Sequence, residues 1–257
     1  MGETLSAQQA RAYLERIGLD GGMLDQEPSL ELLDRLVFAH VCTVPFDSRW
    51  VCTFKRAPSL ALDDLFRKIV VERGGGYCFE LNKLFEKLLL ALGFKARPCL
   101  ARAVCGRTEP VPIDHRAELV LLDGVWHYAD VGFGGPACAR AVPLVDGAHI
   151  SDDLHDFELA RVDETWWRLE RVVGVGALRC EMEVCTATAY DRDFESLNVA
   201  QSLPGTEFAE VAFYNLRTER GSIAIKDLGC KVRSSAGLDE RTFASAAERD
   251  VFIANLG

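Results

Sequence analysis

A single cysteine, Cys78, stands between three glycines and a strongly helical segment in the stretch GGGYCFELN, residues 74–82. Unpaired backbone N–H groups in the first turn of a helix, together with the helix dipole, favour a negatively charged sulfur. The glycines allow a tight turn and leave space for a substrate beside the thiol, and the spare N–H groups could bind an oxyanion. A buried cysteine after a glycine-rich turn is an equally good interpretation, so position alone does not decide between nucleophile and packing residue.

A nucleophilic cysteine needs a base, and the base needs an orienting group. Five histidines are available. Asp123-Gly124 is typical of a two-residue hairpin turn, which places Asp130 opposite Ala117. His115, two residues along the strand from Ala117, then becomes a diagonal neighbour of Asp130 on the same face, roughly 7–8 Å away at the backbone. His127 falls on the opposite face. The register therefore selects His115 as the base, provided that the turn has two residues. The alternative is that His115 is a lone histidine at a strand edge.

Composition limits the classes of function. The chain has 257 residues, 49% of them hydrophobic, and a formal net charge of −10, which is enough for one large domain or two to three small ones. The acidic balance argues against a nucleic-acid binder. No apolar run has the length of a membrane span, and charged residues occupy the N-terminal region where a signal peptide needs an apolar stretch, so a cytoplasmic protein is predicted.

Nine cysteines without a CxxC pair fit neither a disulfide framework nor a structural zinc site, so we expect no metal.

Hydrophobic periodicity divides the chain into three parts. Helices are predicted at 6–19, 28–44, 59–72 and 79–92. Strands are predicted within 96–104, 117–133, 165–173 and 178–187, with a loop at 142–156. The last part is mixed, with strands near 208–232 and a final helix near 239–255.

Several motifs in this order resemble the arylamine N-acetyltransferases. They are YLERIGL (13–19), VPFDS (44–48), GGYCFELN (75–82), His115, DVGFGG (130–135) and FESLN (194–198). The likeness covers nearly the whole chain and is weak after about residue 210. It implies an α+β fold with a helical N-terminal domain (1–93), a β-barrel middle domain (94–190) and a small α/β C-terminal lid (191–257), built around a cysteine-protease-like Cys-His-Asp core.

The resemblance also implies a reaction. Cys78 would accept the acyl group, His115 would be its base and Asp130 would orient His115. Acetyl-CoA, a co-substrate rather than a permanently bound cofactor, would acylate the thiol, and an arylamine, arylhydrazine or N-hydroxyarylamine would then take the acetyl group in a ping-pong scheme. The resemblance implies that Phe46 and Phe133 line the acceptor pocket, and that Phe133 and Gly134 lie near the acyl group and the pantetheine arm. The expected partners are therefore small molecules, with neither nucleic acid nor membrane among them.

Three alternatives stay open. An amide synthase of the same family would keep the triad but release a carrier-bound acyl chain as a lactam. A thiol hydrolase such as a transglutaminase-like protease would use the same three residue types in this order. A non-enzymatic binding protein on the same scaffold is the least favoured.

Two positions depart from the family pattern. The usual PFEN is PFDS here, with Asp47 and Ser48, and the arginine that usually precedes GG-x-C is displaced to Arg73, with Gly74 in its place. The acid and the arginine lie near each other in the family. We therefore expect either an Asp47–Arg73 ion pair or no ion pair at this place. The two departures are expected to change the rigidity of the active site or its preference among acceptors.

Overall fold

The computed structural model describes residues 3–256; Met1, Gly2 and Gly257, which the predicted domains include, lie outside this part of the chain. The first third is helical, as the sequence predicts. Its α-helices are α1 (Ala7–Arg16), α2 (Leu30–Thr43), α3 (Arg49–Phe54), α4 (Leu62–Phe66) and α5 (Cys78–Ala91), with a 3-10 turn at Gly21–Asp25 and a π-helical turn at Arg67–Val71.

Local signals explain the helix ends. Ser6 and Gln9 exchange hydrogen bonds in a capping box that starts α1, and Gly18, with a φ of 75°, ends it in the left-handed conformation. The predicted third helix, 59–72, is wrong as a continuous α-helix. The Ser59 hydroxyl binds Asp64 and the Ala61 N–H, which keeps residues 59–61 outside the helix, and α4 continues as the π-helical turn.

Helix α5 runs through the main core. Its apolar face is fully buried and comprises Leu81, Leu84, Phe85, Leu88 and Leu89. These positions follow the i, i+3, i+4, i+7 rhythm of the sequence. The helix packs against residues 115–122 and 95–103, two strands of the following sheet, so burial of this face fixes the position of its first residue, Cys78.

An eight-stranded antiparallel sheet follows and curls into a nearly closed barrel. In spatial order its strands are β5 (Val142–Pro143), β4 (Val125–Ala129), β3 (His115–Leu122), β2 (Lys95–Ala103), β9 (Ala177–Cys185), β8 (Trp166–Gly174), β7 (Asp156–Arg161) and β6 (Ala148–Ser151). The loop predicted at 142–156 is wrong, since this segment supplies β5 and β6. These strands are too short to show an alternating pattern between turn residues.

A five-stranded sheet forms the C-terminal part. In spatial order its strands are β1 (Phe46–Asp47), β10 (Phe213–Thr218), β11 (Gly221–Lys226), β12 (Gly229–Ser234) and β13 (Gly237–Thr242). The helices of this part are α6 (Asp193–Ala200), α7 (Glu207–Glu210) and α8 (Ala246–Ala254). Strand β1 comes from the helical third and pairs Phe46 with Asn215.

The predicted final helix near 239–255 is wrong at its start. Residues 239–242 belong to β13, whose side chains are all exposed and therefore carry no alternating apolar signal. The helix begins only after Ser245, whose side chain accepts a hydrogen bond from the Glu248 N–H.

The fold class is as predicted: α+β, with a helical N-terminal part, a β-barrel and a small α/β C-terminal part. The domain boundaries at 93/94 and 190/191 stay a prediction. Within residues 3–256, none of the helices combines the length and the apolar character that crossing a bilayer would require.

Candidate active site

Cys78 is the first residue of α5, and its side chain is 2% exposed. A buried carboxylate fixes the turn that carries it. Glu80 Oε2 accepts the backbone N–H of Tyr77 at 3.2 Å, and Glu80 Oε1 pairs with Lys68 Nζ at 2.6 Å. The backbone N–H groups of Glu80 and Leu81 both donate to the Tyr77 oxygen at 3.0 Å, so the N–H groups of the first two helical residues, Cys78 and Phe79, are the ones that a helix N-terminus leaves for other acceptors.

His115 and Asp130 lie together at the end of the β3–β4 hairpin. His115 Nε2 is 2.8 Å from Asp130 Oδ2, and both side chains are 3% exposed. The Cys78 thiol is one of the groups that raise the pKa of this imidazole, and it donates a hydrogen bond to the Asp114 carbonyl oxygen at 3.9 Å. The structure therefore brings together the three side chains selected from the sequence, although they come from three separate segments.

The hairpin explains this proximity. The Asp123-Gly124 turn has φ values of 50° and 80°, both in the left-handed region that a two-residue type I′ turn requires. Glu118 pairs with Ala129, and the next position along the two strands places Asp130 opposite Ala117. The predicted register is confirmed.

Three further donors hold the Asp130 carboxylate. The Tyr128 hydroxyl donates to Oδ2 at 2.7 Å, and Asn82 Nδ2 and the Gly132 N–H donate to Oδ1 at 2.9 and 2.8 Å. The sequence analysis missed these partners. Signals for two of them exist: Asn82 is four residues after Cys78, on the same face of α5, and Tyr128 is two residues before Asp130, on the same face of the strand.

Burial and pairing act in opposite directions on the His115–Asp130 pair. Burial alone would lower the pKa of His115, but the Asp130 carboxylate and its hydrogen bond raise that pKa well above its ordinary value. Burial alone would likewise raise the pKa of Asp130, but His115, Asn82 and Tyr128 together hold it below its ordinary value. The favoured state of the pair is an imidazolium beside a carboxylate, and this pair can stabilise a thiolate.

Gly132 allows the DVGFGG loop to pack against α5. A Cβ at this position would lie 2.9 Å from both Cys78 Cα and Asn82 Nδ2, closer than side-chain atoms can approach. The glycine therefore permits the contact that joins the loop carrying Asp130 to the first turns of the helix carrying Cys78.

A buried ionic cluster supports the same junction from the other side. Arg116, next to His115, is fully buried and binds Glu86 on α5, Glu118 on β3 and Asp191 before α6. Lys87 also pairs with Glu86 and Asp191, at 3.2 and 2.9 Å. These contacts fix α5 to β3 at a second point, and the sequence analysis missed them as well.

A cavity of about 580 Å³ lies between the barrel and the C-terminal sheet, beside the DVGFGG loop. The three predicted substrate-binding residues, Phe46, Phe133 and Gly134, line it, whereas Cys78, His115 and Asp130 do not. The Phe133 ring lies edge-on to His115, with 6.1 Å between ring centroids, and Phe46 shares an apolar cluster with Cys78. The two phenylalanines thus contact both the cavity and the surroundings of the sulfur.

The Asp47–Arg73 ion pair that the sequence left open is not formed. Asp47 instead pairs with Arg49, two residues away, at 2.7 Å, and Arg49 also binds Asp250 on α8 at 2.9 Å. Arg73 is exposed, with a φ of 55°, and its backbone oxygen accepts a hydrogen bond from Arg16. A local pair with Arg49 therefore replaces the expected one.

Among residues 3–256, no group of three or more histidine, cysteine, aspartate or glutamate side chains could hold a metal ion.

Comparisons with known proteins agree with this arrangement. A sequence model described as N-acetyltransferase matches residues 29–255. The arylamine N-acetyltransferase / N-hydroxyarylamine O-acetyltransferase of Salmonella typhimurium is 36% identical over 140 residues, which cover 54% of this chain and 50% of that protein. Proansamycin X synthase of Amycolatopsis mediterranei is 35% identical over 127 residues, which cover 48% of each chain. The chain spans about half the length of the curated relatives it matches.

The match to solved structures is more extensive. The arylamine N-acetyltransferase of Mycobacterium smegmatis superposes with a TM-score of 0.87 at 28% identity, covering 95% of this chain and 89% of that one.

Proposed function

This chain belongs to the arylamine N-acetyltransferase family, and we propose that it transfers an acetyl group from acetyl-CoA through a thioester on Cys78 to an arylamine, arylhydrazine or N-hydroxyarylamine. One observation supports the proposal: a thiol at a helix N-terminus interacts with an imidazole whose Nε2 is 2.8 Å from a buried carboxylate. This arrangement supplies a nucleophile, a proton carrier and an orienting group in one place.

In the first half-reaction, the Cys78 thiolate attacks the acetyl carbonyl carbon of acetyl-CoA. The charge that develops on the carbonyl oxygen is stabilised by N–H groups at the start of α5. The carbon–sulfur bond to CoA then breaks, and the leaving CoA sulfur takes the proton from the His115 imidazolium. Asp130 keeps the imidazole in position throughout, because its own carboxylate is held by Asn82 and Tyr128.

In the second half-reaction, the amine nitrogen of the acceptor attacks the thioester carbon. The neutral His115 imidazole takes the proton from that nitrogen, the bond to Cys78 breaks and the thiolate–imidazolium pair is restored. The cavity is lined by two phenylalanines, Phe46 and Phe133, whose rings suit a flat aromatic amine. We also propose that the Phe133 ring moves to admit substrates to the nearly buried sulfur.

Intact mass spectrometry tests the function directly. Protein mixed with acetyl-CoA and no acceptor should gain the mass of one acetyl group, located on Cys78 by peptide mapping, and an arylamine should remove it. Cys78→Ser should neither retain a thioester nor transfer the group, whereas Cys180→Ser, at a half-buried thiol on β9, should behave as wild type. A wild-type protein that stays unmodified at saturating acetyl-CoA contradicts the proposal.

The similarity to proansamycin X synthase favours one second candidate, an amide synthase that releases a carrier-bound acyl chain as a lactam. The same mass measurement separates the two, since such a synthase would load from an acyl carrier and not from acetyl-CoA. A cytoplasmic location, the absence of a permanently bound cofactor and the domain boundaries stay predictions.

A further inference from the structure

Lys68 contacts both ends of the short segment that carries Cys78. We call residues 74–80 the cysteine segment. The Lys68 backbone oxygen accepts the N–H of Gly74 at 2.9 Å, and the Lys68 ammonium pairs with Glu80 Oε1 at 2.6 Å. One residue outside the cysteine segment therefore binds its first member through the main chain and its last member through the side chain.

Lys68 lies in the π-helical turn Arg67–Val71. A hydrogen bond from the Glu72 N–H to the Arg67 oxygen, five residues back, closes this turn at 2.8 Å. Single π-helical turns are rare inside helices and are frequent at functional sites. The irregular turn that follows α4 is therefore a place to look for a side chain that supports the active site.

Glycine at position 74 permits the main-chain contact with Lys68. A Cβ at Gly74 would lie 2.9 Å from the Lys68 backbone oxygen, closer than a side-chain carbon can approach. A Cβ at Gly76 would lie 3.0 Å from Glu80 Cβ, so the second glycine leaves room for Glu80 to fold back over the segment. Gly74 stands where the family pattern has an arginine, and its lack of a side chain fits the Lys68 contact.

Glu80 brings a negative charge next to the residues that precede the sulfur. Its side chain is 2% exposed, and its Oε2 accepts the N–H of Tyr77, the residue before Cys78, at 3.2 Å. Burial raises the pKa of Glu80, whereas the Lys68 ammonium and the Tyr77 N–H favour its ionised form. A carboxylate without a cation at this place would disfavour a thiolate nearby.

The charges around Glu80 are balanced in pairs. Asp47 on β1 acts on Glu80 as a like charge, and Arg49 neutralises Asp47 at 2.7 Å. Among residues 3–256, Lys68 is the single ion-pair partner of Glu80. The removal of Lys68 would therefore leave one uncompensated negative charge beside the cysteine segment.

We propose that Lys68 is a positioning residue for Cys78: it holds the cysteine segment at both ends and neutralises the buried carboxylate beside the sulfur. The inference rests on the proposed function and deepens it, because the first half-reaction needs a thiolate that is stable and fixed in place. Lys68 acts through Glu80 and through the backbone, so its effect should reach Cys78 as a change in the stability of the thiolate.

The pH profile of Cys78 alkylation by iodoacetamide, followed by peptide mapping, tests this role. In Lys68→Met the charge of Glu80 is uncompensated, so the midpoint of the profile should rise by about one pH unit. Glu80→Gln should lower the midpoint, because the amide oxygen still accepts the Tyr77 N–H while the Lys68 ammonium loses its counter-charge. The variant with both substitutions should return close to the wild-type midpoint.

Two further variants serve as controls. Lys68→Arg keeps a cation within reach of Glu80 and should keep the wild-type midpoint. Arg67→Met, on the same π-helical turn, removes a cation that is 65% exposed and pairs with Asp64, and it should leave the midpoint unchanged. Thermal melting reports the stability of each variant, and Lys68→Met should melt at a lower temperature than Arg67→Met, because a buried carboxylate has lost its partner.

A lysine with a merely structural role would lower the melting temperature and leave the Lys68→Met midpoint equal to that of Arg67→Met, which overturns the proposal. Midpoint shifts of Lys68→Met and Glu80→Gln in the same direction overturn it as well. If Lys68→Met does not fold, a Glu80→Gln midpoint at or above the wild-type value has the same meaning.

Alkylation needs no acyl donor, so its outcome is independent of the acetylation measurement. Opposite midpoint shifts in a protein that acetyl-CoA does not acetylate would refute the proposed function and leave Lys68 as the residue that positions Cys78. Acetylation of Cys78 without the opposite shifts would refute the role of Lys68 and leave the proposed function intact.

Discussion

Tyr128 and His115 bind the same oxygen atom, Oδ2 of Asp130: the phenol at 2.7 Å and the imidazole Nε2 at 2.8 Å. A carboxylate oxygen can accept two hydrogen bonds at once. Both donors favour the ionised form of Asp130, so the tyrosine supports the charge that holds His115. It acts as a positioning residue, because it touches the carboxylate and not the sulfur.

Tyr128→Phe removes one donor to a buried charge. We expect the free energy of unfolding to fall by about 1.5–3 kcal/mol, and Cys78 alkylation to continue at a reduced rate, because Asn82 and His115 still hold the carboxylate. Urea denaturation and iodoacetamide kinetics measure the two effects. Tyr190→Phe, at a ring that is 68% exposed, is the control. Equal stability of the two variants would mean that the Tyr128 hydrogen bond contributes nothing to the free energy of unfolding.

Asp130→Asn removes the partner of the imidazolium. The raised pKa of His115 means that the pair stabilises the fold fully below about pH 6.5, and that this contribution is lost as pH rises through the folded-state value. The lowered pKa of Asp130 means that its contribution is present above about pH 3.9 and is lost as pH falls through the folded-state value. The destabilisation should therefore be largest near about pH 5–6 and shrink toward alkaline pH.

Urea denaturation across pH checks this dependence on the Asp130→Asn variant, and Glu164→Gln, at an exposed acid, should show none. Alkylation of Cys78 at neutral pH should slow by about 10²-fold or more in Asp130→Asn. A stability difference that grows toward alkaline pH would contradict the assignment of an imidazolium–carboxylate pair.

Phe133→Ala removes a ring that contacts both His115 and the cavity. We expect alkylation of Cys78 by a bulky maleimide to accelerate more than alkylation by iodoacetamide, because the larger reagent needs the wider path. The rate of each reagent is measured by intact mass. Phe54→Ala, at an exposed ring on α3, should change neither rate. An unaltered ratio of the two rates would show that Phe133 does not control access.

Gly134→Ala tests the contact between the DVGFGG loop and β1. Gly134 has a φ of 69°, and a Cβ there would collide with the Phe46 ring; Gly124 has a φ of 80° and no atom within 4 Å of its Cβ position. Both alanines incur backbone strain of about 1–2 kcal/mol, but only Gly134→Ala should displace Phe46. It should therefore lower the melting temperature more than Gly124→Ala and also reduce arylamine kcat/KM. Equal effects would exclude a role for the contact.

Arg73→Ala and Arg49→Ala separate the expected ion pair from the observed one. The exposed Arg73 side chain should contribute less than about 0.5 kcal/mol to stability. Arg49 binds Asp47 and Asp250, so its removal should cost about 1 kcal/mol or more, above the usual value for an exposed pair. Thermal denaturation measures both variants. If Arg73→Ala proved less stable than Arg49→Ala, the result would support an Asp47–Arg73 ion pair instead of the Asp47–Arg49 pair.

Local signals predicted much of the site. The Asp123-Gly124 turn defined the β3–β4 register, and through it the neighbourhood of His115 and Asp130. The regular leucine spacing and Gly93 predicted α5, which carries Cys78. In each case the information lies within a few residues of the element, as turn and helix signals do.

Contacts between distant segments were not predictable in the same way. Two residues, Phe46 and Asp47, form a strand only because β10 supplies the pairing partner. Arg116 is an ordinary strand residue in the sequence, and its role follows from acids on α5 and before α6. Only Arg73 was predicted as a partner of Asp47, whereas the structure pairs Asp47 with Arg49, two residues further along the chain. Exposed strands such as β13 lack the apolar alternation that would reveal them.

The pairing of Phe46 with Asn215 makes the first and last parts of the chain one unit. A recombination event that imported the C-terminal segment of a relative would have to preserve the edge on which residues 46–47 dock, or the wall that Phe46 and Asn215 give to the cavity would be lost. If this cavity holds the acceptor as proposed, substrate preference depends on the first and last parts of the chain together.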